Sequence, residues 1–147
     1  MSIHLEQAQS IVSAALAHAR AQGFKPLTVV VLDPGGAPVA LGREDGSGFL
    51  RPDVATAKAY GVLGLGMDSR AIAARAADSA EFFTSVASLT GGKVFSVPGG
   101  VFIHDEAGEL LGAAGASGDA SLADEEAVVA GIRAAIARLS MPRPSTP

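Results

Sequence analysis

The 147-residue sequence contains no cysteine, no tryptophan and only one tyrosine, and its absences exclude several classes of protein. Without cysteine there is no disulfide, no thiolate nucleophile and no cysteine metal site, and we predict no metal-ion site. No apolar run approaches the roughly 20 residues of a membrane helix, and the N-terminus lacks the basic start and apolar segment of a signal peptide. We therefore expect a cytoplasmic protein with no membrane partner.

Charge and composition narrow the partners further. The net charge is -4 and no cluster of Lys or Arg occurs, which argues against a nucleic-acid partner. The content of 48% hydrophobic residues and 18 glycines predicts one globular domain. Because many residues are small, we expect backbone segments to pack closely against one another in its core. We assign residues 1–140 to this domain and residues 141–147 to a Pro-rich disordered tail. Flat Gly- and Ala-rich surfaces predict a homo-oligomer, dimer or higher, that binds a small-molecule ligand or substrate.

Two β-hairpins are predicted at an offset of 72 residues. The first joins strands 27–32 and 37–41 through Asp33 to Gly36, and the second joins strands 101–104 and 109–117 through Asp105 to Gly108. Aligning the two aspartates also aligns the two glycines, although two unrelated hairpins with ordinary turn residues would give the same pattern. The resulting sheet is mostly antiparallel, and residues 94–97 could add a fifth strand.

Helices precede, separate and follow the hairpins. An amphipathic helix begins near Leu5 and ends at Gly23, and Pro52 suits the first turn of an Ala-rich helix that reaches Leu65. The small residues of that second helix predict a close approach to the sheet, and Lys58 is one of its few bulky polar members. Two short helices are predicted to follow, over residues 71–77 and 79–86.

The last helix, opening near Ser121, carries a carboxylate that its periodicity places inward. Apolar residues follow the spacing of a buried face, and the missing step in the series is Glu125; the apolar members are Leu122, Val129, Ile132, Ile136 and Leu139. Asp124 instead fits a capping box with Ser121 and has a structural role in the first turn. A buried carboxylate must find a partner or take up a proton, so we single out Glu125.

Two glycine loops flank the second hairpin and indicate a ligand site. The loop before it contains Gly99 and Gly100, and the loop after it contains Ser117, Gly118 and Asp119. The second loop leads directly into the start of the last helix. We expect a small ligand to lie between them.

The order of these elements and motifs resembles the GlcG/HbpS family over about residues 5–139. Members are often labelled haem-binding or haem-degrading and are related to the C-terminal domain of the PduO corrinoid adenosyltransferase. The most specific matches are the turn at 33–36, Lys58, the Pro98-Gly99-Gly100 loop, and residues 115–118 followed by Asp124-Glu125. The resemblance implies an α+β, profilin-like fold, with a single, mostly antiparallel sheet of four or five strands flanked by N-terminal, central and C-terminal helices. It also implies assembly into dimers or larger rings.

The resemblance and the residues together suggest three classes of function. The resemblance favours binding of haem or a related tetrapyrrole, with His18 or an oxygen ligand on the iron, because His104 begins a turn and should face solvent. The residues themselves allow a cofactor-independent enzyme, an isomerase, tautomerase or lyase acting on a small organic acid. In that enzyme Glu125 is the general base, Lys58 or Arg43 holds a carboxylate, and the amides of the two glycine loops stabilise an enolate. The third function is a non-catalytic assembly or sensor module.

Overall fold

The computed structural model describes residues 1–139, with side chains described to residue 135, and the predicted tail lies outside this range. The described chain forms five helices and four strands. In order they are α1 (Leu5–Gln22), β1 (Thr28–Leu32), β2 (Pro38–Arg43), α2 (Arg51–Leu65), α3 (Ser69–Asp78), α4 (Ala80–Leu89), β3 (Gly100–His104), β4 (Leu110–Ser117) and α5 (Ser121–Leu139). Within these residues, no helix combines the length and apolarity needed to cross a membrane.

The strands form one antiparallel sheet in the order β2-β1-β4-β3, with helices on both faces. Successive side chains of a strand point to opposite faces, and β1 is buried on both. Val29 and Val31 pack against α1 and α5, whereas Val30 and Leu32 pack against α2 and its neighbours. The predicted α+β class, with a single antiparallel sheet flanked by helices, is therefore confirmed.

The two hairpins share the same turn geometry at the predicted offset. In each turn the aspartate Oδ1 accepts the backbone N–H groups two and four residues on, at 2.9–3.0 Å for Asp33 and 2.9 Å for Asp105. Gly36 and Gly108 both adopt the left-handed conformation, with φ values of 85° and 86°, which glycine adopts without a steric penalty. The pairing register also shifts at equivalent places, between Val31 and Leu32 and between Ile103 and His104.

The helix α2 lies directly on the sheet because glycines face it. Gly100 and Gly115 are paired across β3 and β4. A Cβ atom at Gly115 would overlap the carbonyl oxygen of Ala55, and one at Gly100 would overlap the carbonyl oxygen of Lys58. The close approach predicted from the small residues of α2 is thus confirmed, and it also requires the glycines of the sheet.

The predicted fifth strand at 94–97 does not form. This segment carries no strand pairing, and Val94 instead packs over Gly61 of α2. The Lys93 ammonium group lies 5.6 Å from the centre of the Tyr60 ring, a cation–π contact that also directs the segment toward α2. The sheet therefore ends at β3.

The buried face of α5 differs from the predicted one. Leu122, the first step of the predicted stripe, is 61% exposed, so the stripe does not face the core there. The side chain of Glu125 keeps 16% of its surface, whereas that of Asp124 keeps 1%. The side chains that are buried are Asp124, Ala127, Val128, Ile132 and Ala135. Small residues allow α5 to approach α1 closely, since a Cβ at Gly131 would lie 2.6 Å from the carbonyl oxygen of Ile11. A pattern of large apolar residues does not detect such a face.

Candidate functional site

A buried ion pair joins α2 to the start of α5. The Lys58 Nζ atom lies 3.1 Å from Asp124 Oδ2, and it donates a second hydrogen bond, at 3.0 Å, to the carbonyl oxygen of Ala116. The other oxygen of Asp124 accepts the Asp119 N–H at 2.9 Å. Asp124 thus has a structural role at the start of α5, but it accepts the Asp119 N–H instead of forming the predicted capping box with Ser121. It is also the buried carboxylate that the sequence assigned to Glu125.

Burial shifts both members of this pair toward their neutral forms. Loss of solvent lowers the pKa of Lys58, and Asp124 opposes that shift by its charge and its hydrogen bond. Loss of solvent also raises the pKa of Asp124, against the Asp119 N–H and Lys58. The charge of Lys58 is thus stabilised by Asp124, and the charge of Asp124 by the Asp119 N–H and by Lys58. Because both side chains are almost fully buried, the Lys58 amine does not lie open to a substrate in this arrangement.

The Gly99 and Gly100 amides, expected to stabilise an enolate, already have an acceptor. Both N–H groups donate to Ser69 Oγ, at 2.9 and 2.8 Å, and that hydroxyl donates to the carbonyl oxygen of Gly100 at 2.8 Å. Ser69 is fully buried. The loop is therefore closed by a serine of α3, and its amides are not free donors.

The loop after β4 is also held by internal hydrogen bonds. Asp119 accepts the Lys25 N–H at 2.7 Å and the Ala120 N–H at 2.6 Å, and these two bonds lower the pKa of Asp119. Gly118 has a φ of 155° and lies against the carbonyl oxygen of Pro26, where a Cβ would overlap it. These contacts attach the loop to the segment between α1 and β1. Ser117 differs, because its buried hydroxyl accepts from Arg51 at 3.0 Å.

The three predicted catalytic side chains have separate partners. Glu125 pairs with Arg70 of α3, Lys58 pairs with Asp124, and Arg43 donates to the carbonyl oxygen of Ser47 at 3.1 Å. The predicted acid–base arrangement of Glu125 with Lys58 or Arg43 is not assembled in this structure. Each of the three side chains instead has its own partner, and none of them pairs with another.

His18 lies in an open groove of about 380 Å³ formed by α1, α3 and α5. Its Nε2 atom is 3.1 Å from Glu126 Oε2, and its ring makes an edge contact with Phe24. The groove combines basic, acidic and apolar side chains; its lining residues are His18, Arg70, Leu122, Glu125, Glu126, Val129, Ala130 and Arg133. One histidine, two arginines, two glutamates and three apolar residues thus line one groove.

The other two histidines have different surroundings. His4 is the N-cap of α1, and its backbone N–H donates to Gln7 Oε1 at 2.9 Å in a capping box. His104 is exposed at the end of β3, as the sequence predicted, and its ring lies 5.6 Å from that of Phe102. Only His18 lies in the groove described above.

Sequence reasoning missed Ser69, Arg51 and the two arginines of the groove. Asp68-Ser69-Arg70 is recognisable as a helix start, and Asp68 does accept the Ala71 N–H at 3.0 Å. Nothing in the sequence distinguishes the inward serine from the outward arginine that follows it. Arg70 meets α5 only through the tertiary packing of α3 against α5, so the sequence alone does not predict this contact.

The sheet between two helical layers, with its Asp–Gly hairpin turns and its helix-bound glycine loops, defines a small α+β domain. The chain belongs to the HbpS-like family: the family described as "Haem degrading protein HbpS-like" matches residues 3–133. The resemblance inferred from the sequence is confirmed. No curated protein sequence matches the chain.

Several solved structures have a fold similar to that of this chain. The chain is similar to the PduOC:heme complex, with a TM-score of 0.81 and 20% identity over 91% of this chain and 95% of that one. It is similar to HbpS with a TM-score of 0.78 and 22% identity, over 90% and 89% of the two chains. For Klebsiella pneumoniae ORFY, of family DUF336, the TM-score is 0.82 at 18% identity, over 95% and 92%. These likenesses establish the shared fold.

Proposed function

We propose that this protein binds haem or a related tetrapyrrole in the groove lined by His18. The observation that carries the proposal is that His18, Arg70 and Arg133 line this groove together with three apolar residues, Leu122, Val129 and Ala130. Membership of the HbpS-like family, and a similar fold in a protein solved with haem, support the same class of ligand.

The side chains of the groove fit the chemistry of haem. Haem offers an apolar ring, an iron that accepts imidazole nitrogen, and carboxylates that arginine binds by charge-assisted hydrogen bonds. His18 would provide the imidazole, and Arg70 and Arg133 would bind the carboxylates.

Two intramolecular contacts compete with such a ligand. Glu126 occupies the Nε2 atom of His18, and Glu125 occupies the guanidinium group of Arg70. For ligation through Nε2, haem must displace Glu126, which predicts modest rather than tight affinity.

His18→Ala should weaken hemin binding by about tenfold or more and change the Soret spectrum, because it removes the nitrogen ligand. His104→Ala is the matched control: it removes an exposed histidine outside the groove and should bind hemin as the wild type does. Spectrophotometric titration measures both. If both variants keep the wild-type spectrum and affinity, histidine ligation by His18 is wrong.

We also infer that the chain forms a homo-oligomer. Large apolar side chains are widely exposed, among them Phe82 and Leu89 at 56% and 87%. The edge strands β2 and β3 each have a neighbour on one side within the described residues. Such surfaces are commonly covered by a second copy.

Light scattering at micromolar concentration should therefore give a mass of at least two chains. A clean monomer mass under the same conditions would contradict this inference. The cytoplasmic location, expected from the sequence, remains a prediction.

A further inference from the structure

A row of polar side chains crosses the end of the sheet on its α2 face. Thr28 of β1 is paired with Arg43 of β2 on one side and with Ser117 of β4 on the other. Residues paired in this way present their side chains on the same face. The Thr28 hydroxyl also bonds Ser47 Oγ at 2.9 Å, and Arg51 reaches into the row from the first turn of α2.

Both arginines of this cluster are oriented by neutral acceptors. The Arg51 Nη1 atom donates to the Ser117 hydroxyl at 3.0 Å, and the Arg43 Nη1 atom donates to the carbonyl oxygen of Ser47 at 3.1 Å. Among the described residues, neither guanidinium group lies within ion-pairing distance of a carboxylate.

Two carboxylates close to the row in sequence are engaged elsewhere. Glu44 pairs with Arg20 at 2.8 Å and accepts the Leu27 N–H at 2.8 Å. Asp119 accepts two backbone N–H groups, from Lys25 and Ala120. The two arginines therefore retain a positive charge that no ion pair within the described part of the chain compensates.

An open groove of about 330 Å³ adjoins this cluster and is largely apolar. It is lined by Gly48, Phe49, Leu50, Arg51 and Val54. Phe49 and Leu50 are 82% and 60% exposed, an unusual position for two adjacent large apolar residues. The groove is thus lined by one arginine and by three apolar side chains.

We propose that this groove binds a small carboxylate with an apolar body. Arg51 binds the carboxylate, Arg43 adds a second positive charge, and Phe49, Leu50 and Val54 contact the apolar part. Ser117 is a positioning residue, because it holds the guanidinium group of Arg51. Arginine recognises planar carboxylates through paired hydrogen bonds, and the apolar walls favour an organic acid over inorganic phosphate. The site is built from other elements than the His18 groove and does not depend on haem binding.

Titration of the wild-type protein with benzoate, followed by amide chemical shifts, tests the proposal directly. We expect the shifts to concentrate at residues 48–54 and at Ser117. Benzyl alcohol has the same ring without the charge, and inorganic phosphate has charge without the ring. Each should bind at least about tenfold more weakly than benzoate, because each lacks one of the two interactions.

Arg51→Gln should weaken benzoate binding about tenfold or more, the loss expected for one charge-assisted hydrogen-bonding group. Arg75→Gln removes the same charge from an exposed position on α3 and should bind benzoate as the wild type does. Ser117→Ala should weaken binding less than Arg51→Gln, and Arg51→Lys should retain part of the affinity. Circular dichroism of each variant confirms that it is folded.

The proposal is wrong if benzoate and benzyl alcohol bind equally, if the shifts lie away from residues 48–54, or if folded Arg51→Gln binds benzoate as tightly as Arg75→Gln does. The wild-type mapping distinguishes these results even if a variant fails to fold. Competition with hemin distinguishes a small organic acid from the carboxylates of haem as the ligand of this groove. Displacement of benzoate by hemin would show that the carboxylates of haem also reach this site, whereas the His18→Ala titration alone decides the role of the His18 groove.

Discussion

Replacing Lys58 with methionine should lower the free energy of unfolding by about 3–5 kcal/mol, because it leaves Asp124 charged, buried and without its cation. For a chain of this size, that corresponds to a fall in Tm of roughly 10–16 °C. Lys25→Met is the matched control, since the Lys25 side chain is exposed and only its backbone N–H contacts Asp119. It should change stability by no more than about 0.5 kcal/mol.

A second substitution and a change of pH test whether the unpaired charge of Asp124 causes the loss of stability in Lys58→Met. Lys58→Met combined with Asp124→Asn removes the charge but keeps an oxygen that can accept the Asp119 N–H, so most of the lost stability should return. In the single variant Lys58 no longer lowers the pKa of Asp124, while burial still raises it above its ordinary value of 3.8. The folded state then binds a proton that the unfolded state releases, so stability falls as pH rises through that window.

Mild acidification should therefore bring the Lys58→Met variant closer to the wild type in urea unfolding. A double variant as unstable as Lys58→Met, together with no recovery at lower pH, would show that lost packing rather than charge explains the effect.

Gly115→Ala should destabilise the protein by about 1–3 kcal/mol, the cost of overpacking a well-packed contact. The added methyl group would overlap the carbonyl oxygen of Ala55, which belongs to helix backbone and cannot rotate away. The helix α2 would have to lift from the sheet, and Lys58 would move with it. Denaturant unfolding measures the change.

A glycine-to-alanine substitution on the exposed side of α2 should instead increase the stability of the protein. Gly64 is exposed in the helix, and a Cβ there meets no atom within 4 Å. Gly64→Ala should stabilise the protein by about 0.5–1 kcal/mol, because alanine loses less conformational entropy in a helix. Equal effects at Gly64 and Gly115 would contradict the close contact between α2 and the sheet.

The sequence was sufficient for the elements and turns that depend on local chemistry. The Asp–Gly turns, the start of α2 near Pro52 and the end of α1 at Gly23 follow from backbone preferences of those residues. The antiparallel sheet follows in turn from the two hairpins. The absence of a strand at 94–97 could not be predicted, because the competition between sheet edge and helix α2 is a tertiary effect.

The candidate site was less predictable, and the physical reason lies in α5. Its buried face is built partly from Ala127, Gly131 and Ala135, which add little to a hydrophobic pattern, while Leu122 faces outward. The pattern therefore selected Glu125 rather than its neighbour Asp124. The sequence shows Lys58 as one of the few bulky polar residues of α2, but its partner depends on how α2 and α5 meet across the sheet.

The order of the strands also determines how late the sheet is completed during folding. Each hairpin is local and can form as soon as its own residues are available, but the central pairing joins Val30 to Gly115, so the intervening helices must be made first. Until then β1, whose five residues are all buried in the finished fold, has no partner on one side. During synthesis this apolar strand is therefore exposed for most of the chain's length. We expect the interval before β4 emerges to be the period of greatest aggregation risk.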